Sequence, residues 1–220
     1  MSLFYGNDFV GEVDLTDKTL TFFQLFAYDT HLVDAEHLSL PATILVYGCY
    51  SYMFEGCTSL TTAPKQLPAM TLANECYGEM FRGCTSLTTA PSLPATTLTP
   101  YCYKYMFKGC SSLTTAPELP ATTLTSECYN AMFYGCTSLT TAPELPATTL
   151  AQNCYYQMFY NCISLNQIKC LATNISVYEC TKNWVSGVSS TGTFIKNPNM
   201  SSWTTGIDGI PSGWTVQDAI

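Results

Sequence analysis

The segment CYNAMFYGCTSLTTAP at 128–143 recurs along the chain, and this repetition limits the possible folds more than any other feature. Near-copies are CYSYMFEGCTSLTTAP at 49–64, CYGEMFRGCTSLTTAP at 76–91 and CYKYMFKGCSSLTTAP at 102–117; a decayed copy, CYYQMFYNCISLNQIK, occupies 154–169. Their first cysteines fall at 49, 76, 102, 128 and 154, so the steps are 27, 26, 26 and 26 residues. One further step of 26 reaches Cys180 and puts Trp184 and Val185 in the Met-Phe slots; an earlier copy at 25–45 fits the frame if Leu25 and Phe26 fill them. A fixed period of this length marks a solenoid. One unit offers about eight inward apolar side chains, worth roughly 1.5–3 kcal/mol each on burial. Ordering its backbone costs about 1–2 kcal/mol per residue. Each unit therefore needs neighbours on both sides, and the ends need caps.

Each unit reads as two halves. In the first, Cys128, Met132, Phe133 and Cys136 fall at i, i+4, i+5 and i+8, which predicts one face of a short helix. Thr125-Ser126 and Thr99-Pro100 read as helix starts. Gly56, Gly83, Gly109, Gly135 and Asn161 read as left-handed residues that end it. The second half, LTTAPELP, predicts short imperfect parallel strands, because Pro143 and Pro146 lack amide donors. The expected fold is an α/β solenoid: a curved stack of about six 26-residue strand–helix units with a C-terminal cap. Strands repeating at about 4.8 Å and helices at 8–10 Å would put the strands on the inside of the bend. The divisions are a lead-in at 1–17, the solenoid at 18–187, and a last strand and cap at 188–220, where Trp203 and Trp214 lie among Gly206, Gly209, Pro211 and Gly213.

The unit CYxxMFxGCTSLTTAPxLPATTL and the ending GTFIKNPNMSSWTTGIDGIPSGWTV resemble the BspA-like leucine-rich repeats of surface proteins from gut Bacteroidetes. The resemblance covers nearly the whole chain. It implies a curved leucine-rich-repeat solenoid, extracellular or at the cell surface, that binds or adheres and is not an enzyme. Relatives of this kind carry export or anchoring signals and further modules upstream. No such signal follows Met1, which suggests a fragment or a repeat-only gene. The alternative is a structural spacer or stalk that presents another module, including a phage or mobile-element adhesin.

Composition narrows the chemistry. Eight Lys/Arg against sixteen Asp/Glu give a net charge of −8, without the basic run that nucleic-acid binding needs. The longest apolar stretches, such as Ala42 to Cys49, are far short of the ~20 residues of a membrane helix. Only 11% of residues are charged, so uncharged polar groups must cover the surface, among them thirty-two threonines. The adjacent pair Thr140-Thr141 is expected to point to opposite strand faces, against a threonine array for ice.

The twelve cysteines are expected to be free core residues. Two in one unit would lie about 12 Å apart on a helix. Equivalents on neighbouring helices would be about 8–10 Å apart, beyond the 4.4–6.8 Å a disulfide spans. C-x7-C without histidine is not a metal motif. His31 and His37 lie in the first unit with no nucleophile in sequence context, so catalytic residues, cofactor and metal are all expected to be absent.

Repeats separate constant slots from variable ones. The cysteine pair, the following tyrosine, Met-Phe and Leu-Thr-Thr-Ala-Pro are constant, as packing demands. The variable slots are Tyr52/Glu79/Tyr105/Ala131/Gln157, Glu55/Arg82/Lys108/Tyr134/Tyr160 and, on the strand side, Lys65/Ser92/Glu118/Glu144. Lys65, Ser92, Glu118, Glu144, Tyr105, Tyr134 and Tyr160 are thus the candidate contacts for a protein or glycan partner at a cell surface, the tyrosines combining an apolar ring with a polar tip.

Overall fold

The computed structural model describes residues 13–201 and 203–220. The chain winds into a solenoid, but the helical half of each unit is absent: no helix occurs among the described residues. In its place is a ribbon of overlapping β-turns with a strict period of four. In the third copy the amides of Cys102, Lys104, Met106, Lys108 and Cys110 bond back to the carbonyls of Thr99, Tyr101, Tyr103, Tyr105 and Phe107, at 3.0–3.3 Å. These are i→i−3 bonds. The intervening amides of Tyr101, Tyr103, Tyr105, Phe107 and Gly109 leave the unit. They donate to Ser126, Cys128, Asn130, Met132 and Tyr134 of the next rung, at 2.7–3.2 Å. Half of the ribbon's donors close turns and half build the stack.

Every fourth ribbon residue is left-handed: Tyr101, Tyr105 and Gly109 have φ of 63°, 56° and 78°, and Glu127, Ala131 and Gly135 follow suit one rung on. A positive φ at the third position of a turn is what a type II turn requires, and proline is favoured just before it. Thr99-Pro100-Tyr101-Cys102 is such a turn, closed by the Cys102 amide on the Thr99 carbonyl. The expected left-handed state at Gly56, Gly83, Gly109, Gly135 and Asn161 is present, with φ of 57–78°. These residues are the last of a periodic series, not a helix terminus. A four-residue period drifts only about 40° per step from the α-helical one, so over eight residues the two place the same side chains inside.

Those inward residues make one core. Cys102, Tyr103, Met106, Phe107 and Cys110 are fully buried, as are their counterparts in adjacent rungs. Rings stack in two columns along the axis. Phe22, Tyr50, Tyr77, Tyr103, Tyr129 and Tyr155 form one, with centroids 5.2–6.2 Å apart. Phe26, Phe54, Phe81, Phe107, Phe133 and Phe159 form the other, at 5.2–5.8 Å. Phe26 thus fills the slot read for it.

Opposite the ribbon, isolated parallel bridges link the rungs at Thr62–Thr89, Thr89–Thr115, Thr71–Thr97 and Thr123–Thr149. Among the described residues full strands form only toward the end: β1 (Gln167–Cys170), β2 (Thr193–Lys196) and β3 (Thr215–Asp218) pair in parallel in that order. The prolines of the repeat explain the sparse pairing upstream, as expected. Because backbone ladders link the rungs on both sides, the same spacing of about 4.8 Å governs each. The bend expected from packed helices loses its cause.

Both columns end on Trp184, fully buried, with centroids 6.2 Å from Tyr155 and 6.2 Å from Phe159. Its other face stacks on Trp203 at 5.7 Å, and its indole N–H donates to the Gly209 carbonyl at 2.8 Å. The ribbon's outgoing donors also end here. The left-handed Asn183 donates its amide to Asp208 Oδ1 at 2.5 Å, and Val185 donates to the Ile207 carbonyl at 3.3 Å.

An alanine Cβ at Gly109 would lie 3.8 Å from Gly83 Cα, an ordinary contact, so Gly109→Ala is expected to lose only the cost of a left-handed side chain, about 1–2 kcal/mol. At Gly192 a Cβ would meet the Asn166 carbonyl and come within 2.8 Å of Trp214, so Gly192→Ala should cost more. Urea unfolding followed by tryptophan fluorescence ranks the two.

Candidate binding surface

The period of four decides which residues face out. With Cys, Tyr, Met and Phe turned inward, the two residues between each inward pair form the outer wall of the ribbon. The Tyr52/Glu79/Tyr105/Ala131/Gln157 column consists entirely of left-handed residues and is half-buried or, at Ala131, buried. It is less exposed than a helix surface would have made it, because neighbouring rungs lie one ladder step apart and their side chains cover one another.

The first rungs of this wall are internally neutralised. Tyr52 Oη donates to Glu79 Oε1 at 2.7 Å, and Arg82 Nη1 lies 2.5 Å from Glu79 and 3.5 Å from Glu55. Further along, the wall becomes aromatic and cationic. Lys104 Nζ lies 5.0 Å from the ring centre of Tyr101 and 5.3 Å from that of Tyr105. Lys108 Nζ lies 4.8 Å from the rings of both Tyr105 and Tyr134. Tyr134 then stacks on Tyr160 with centroids 4.7 Å apart and planes 9° off parallel. The structure therefore brings Tyr105, Tyr134 and Tyr160 together, with Lys108 between the first two. Lys104 also pairs with Glu127 at 2.8 Å. Partial burial opposes its charge, but this carboxylate outweighs that and lifts its pKa.

The strand-side column lies apart from this cluster. Ser92, Glu118 and Glu144 are exposed, the last two along a shallow groove walled by Pro117, Pro120, Pro143 and Pro146. Glu144 is paired with Lys169 at 3.0 Å. Lys65 does not belong to the column: Ser92 bridges to Gln66, while Lys65 faces Glu36 at 3.3 Å. The cause is the first step of 27. Thr62 is matched with Thr89 but Gln66 with Ser92, so the extra residue is absorbed between 62 and 66. A second correction concerns threonine. Thr140 and Thr141 are both exposed, as are Thr148 and Thr149, because an isolated bridge does not impose the alternation of a continuous strand.

The twelve cysteines are free and buried. The spacing argument for keeping them apart fails, since equivalents one rung apart are separated by about 4.8 Å, inside disulfide range. Hydrogen bonding occupies the second thiol of each unit instead: Cys57, Cys84, Cys110, Cys136 and Cys162 donate S–H to the carbonyls of Phe26, Phe54, Phe81, Phe107 and Phe133, at 2.9–3.1 Å. Burial pushes the thiols up, to about 11 at Cys49 and Cys57 and about 12 at Cys128, Cys162 and Cys170. Neutral thiols are poor nucleophiles. His31 and His37 are exposed, and the nearest acid to His31 is Asp29 at 3.7 Å. Among the described residues no cluster of three His, Cys, Asp or Glu is placed to hold a metal, and no helix is long and apolar enough to cross a membrane.

The model of the BspA type leucine-rich repeat region matches residues 3–114 and 50–183, in six copies. The chain belongs to this family. Its period, aromatic columns and glycine slots are therefore those of a BspA-type solenoid. No curated protein and no solved structure matches the chain significantly. Sequence reasoning missed Lys108 as the centre of the aromatic cluster, since a lysine in a variable slot gives no sign of which rings it will touch. The tyrosines around it were visible only as a run in adjacent copies.

The thiols give a signed pH dependence. Unfolded, they ionise near their ordinary value of 9.0; folded, burial raises them all, and Cys49 and Cys57 stay protonated to about 11. Above pH 9 the unfolded chain binds fewer protons, so stability present below that pH is lost as pH rises through 9 toward 11. Urea midpoints should match at pH 7 and 8 and fall by about pH 10; a constant midpoint would contradict buried, protonated thiol columns.

Proposed function

We propose that this chain is a non-enzymatic binding module of a bacterial surface protein, working outside the cell, in which residues 18–187 form a rigid rod and 188–220 close it. The observation that carries the reading is the division of labour between slots. The interior is spent on packing, with every repeated cysteine, tyrosine, methionine and phenylalanine buried. Two of the three variable columns lie along the ribbon, where three rungs contribute Tyr105, Lys108, Tyr134 and Tyr160 to its outer wall. Family membership supports a surface-associated role without chemistry of its own. The titratable groups described above do not converge in a cleft; they pair across rungs or lie in the core. Tyrosine and a desolvated cation are the residue types that carry energy at recognition surfaces.

The test is an array of immobilised matrix proteins and host glycans probed with the whole chain. The double variant Tyr134→Ala/Tyr160→Ala is expected to lose at least about tenfold in affinity for whatever is captured. The variant Ser92→Ala/Glu118→Gln, on the other wall, should bind as the parent does. Capture of nothing by the parent would contradict the reading and favour a spacer.

A further inference from the structure

Charge bookkeeping across the surface singles out one cation. Among the described residues, Lys65, Arg82, Lys104, Lys169, Lys182 and Lys196 each face a carboxylate. Lys108 has no carboxylate within ion-pair distance among the described residues. Its ammonium lies between two tyrosine rings, 4.8 Å from each centre. In a chain of net charge −8, a lysine left without an acid is the exception. The rings hold the charge in place but leave its ability to donate hydrogen bonds unused, because a π face is a weaker partner than an anion.

The surroundings narrow what would complete it. Tyr105, Tyr134 and Tyr160 extend over three rungs, two ladder steps or about 10 Å along the axis. That is the length of a disaccharide. The rings are half-buried, and their phenol oxygens add polar tips. Among the described residues, the strongly exposed Ile44, Met70 and Ile207 lie on other rungs or outside the ribbon, and Ile163, on the rung of Tyr160, lies past Asn161, the last left-handed residue of that rung's ribbon. A protein partner would call for an apolar centre there. Aromatic faces, hydroxyls and one unpaired cation instead match a ligand with flat C–H faces, many hydroxyls and an acid group. Ala131 adds a local dip: its short side chain stands in the column between Tyr105 and Gln157.

We propose that the Tyr105–Lys108–Tyr134–Tyr160 ridge binds an acidic oligosaccharide, its carboxylate or sulfate paired with Lys108 and its sugar rings lying against the tyrosines. This deepens the binding reading above and depends on it. The probes are tetragalacturonate with its methyl ester, and a heparin tetrasaccharide with its desulfated form, measured by titration calorimetry against the whole chain. At least one acidic probe should bind about tenfold or more tightly than its neutral counterpart, the scale of one charge-assisted contact. Lys108→Met keeps the aliphatic stem, so it should abolish that preference while leaving the thermal midpoint unchanged. Tyr160→Ala should weaken acid and neutral forms alike. Equal binding of acidic and neutral forms, no binding of either acid, or a preference that survives Lys108→Met would overturn the proposal. If the array captures a protein while both acids stay silent, the acidic-glycan assignment falls and the binding-module reading stands. Silence in both experiments removes both.

Discussion

The hydrogen bond from one ribbon rung to the next is the interaction everything else depends on. Sixteen described residues other than glycine sit at positive φ, each at a cost of about 1–2 kcal/mol. An isolated unit has no compensation for that cost. In the stack, Tyr52, Glu79, Tyr105, Ala131 and Gln157 each donate their amide to the following rung at 2.7–2.9 Å. The left-handed kinks aim alternate amides along the axis, so strain and ladder are one device. Between Phe22 and Asn161 these bonds all run the same way, donor before acceptor in sequence. A one-way ladder needs acceptors at its C-terminal end. Asp208 and Ile207 supply them to the amides of Asn183 and Val185, and Gly209 accepts the indole N–H of Trp184, which is why the closing segment departs from the repeat.

Because the ladder fixes the spacing, it also fixes what side chains can do. Inward rings cannot avoid their equivalents one rung away, and stacked columns of tyrosine and phenylalanine result. Outward residues meet the same constraint. Like charges in register would repel, and the wall answers with opposite charges on neighbouring rungs, as in Arg82 with Glu55 and Lys104 with Glu127. Where the answer is a ring in place of an acid, at Lys108, the charge stays available.

The solenoid, its period and its inward residues were legible in the sequence because they depend on repetition and hydrophobicity alone. The local conformation was not. Cys128, Met132 and Cys136 fit a helix face and a four-residue turn ribbon equally well. The clue that separates them lies elsewhere: Pro100 followed by Tyr101 reads as a helix start but serves as the centre of a type II turn. Misreading that turn carried into the expected bend and the cysteine spacing, both of which assumed helices 8–10 Å apart. The strand-side column failed for a different reason. A step of 27 among steps of 26 announces an extra residue but not its place, and its place decides whether Lys65 or Gln66 meets Ser92. Of the ribbon candidates, the three tyrosines were legible as variable aromatics, whereas their convergence on Lys108 needed the side-chain geometry.

The most direct measurement is the scalar coupling across the hydrogen bond of Phe107, read by NMR on uniformly 15N,13C-labelled protein. A coupled-turn ladder places the acceptor on the next rung, so the Phe107 amide nitrogen, 2.9 Å from the Met132 carbonyl oxygen, should couple to the carbonyl carbon of Met132. Coupling to the carbonyl of Tyr103, the i−4 partner of an α-helix, would contradict the account.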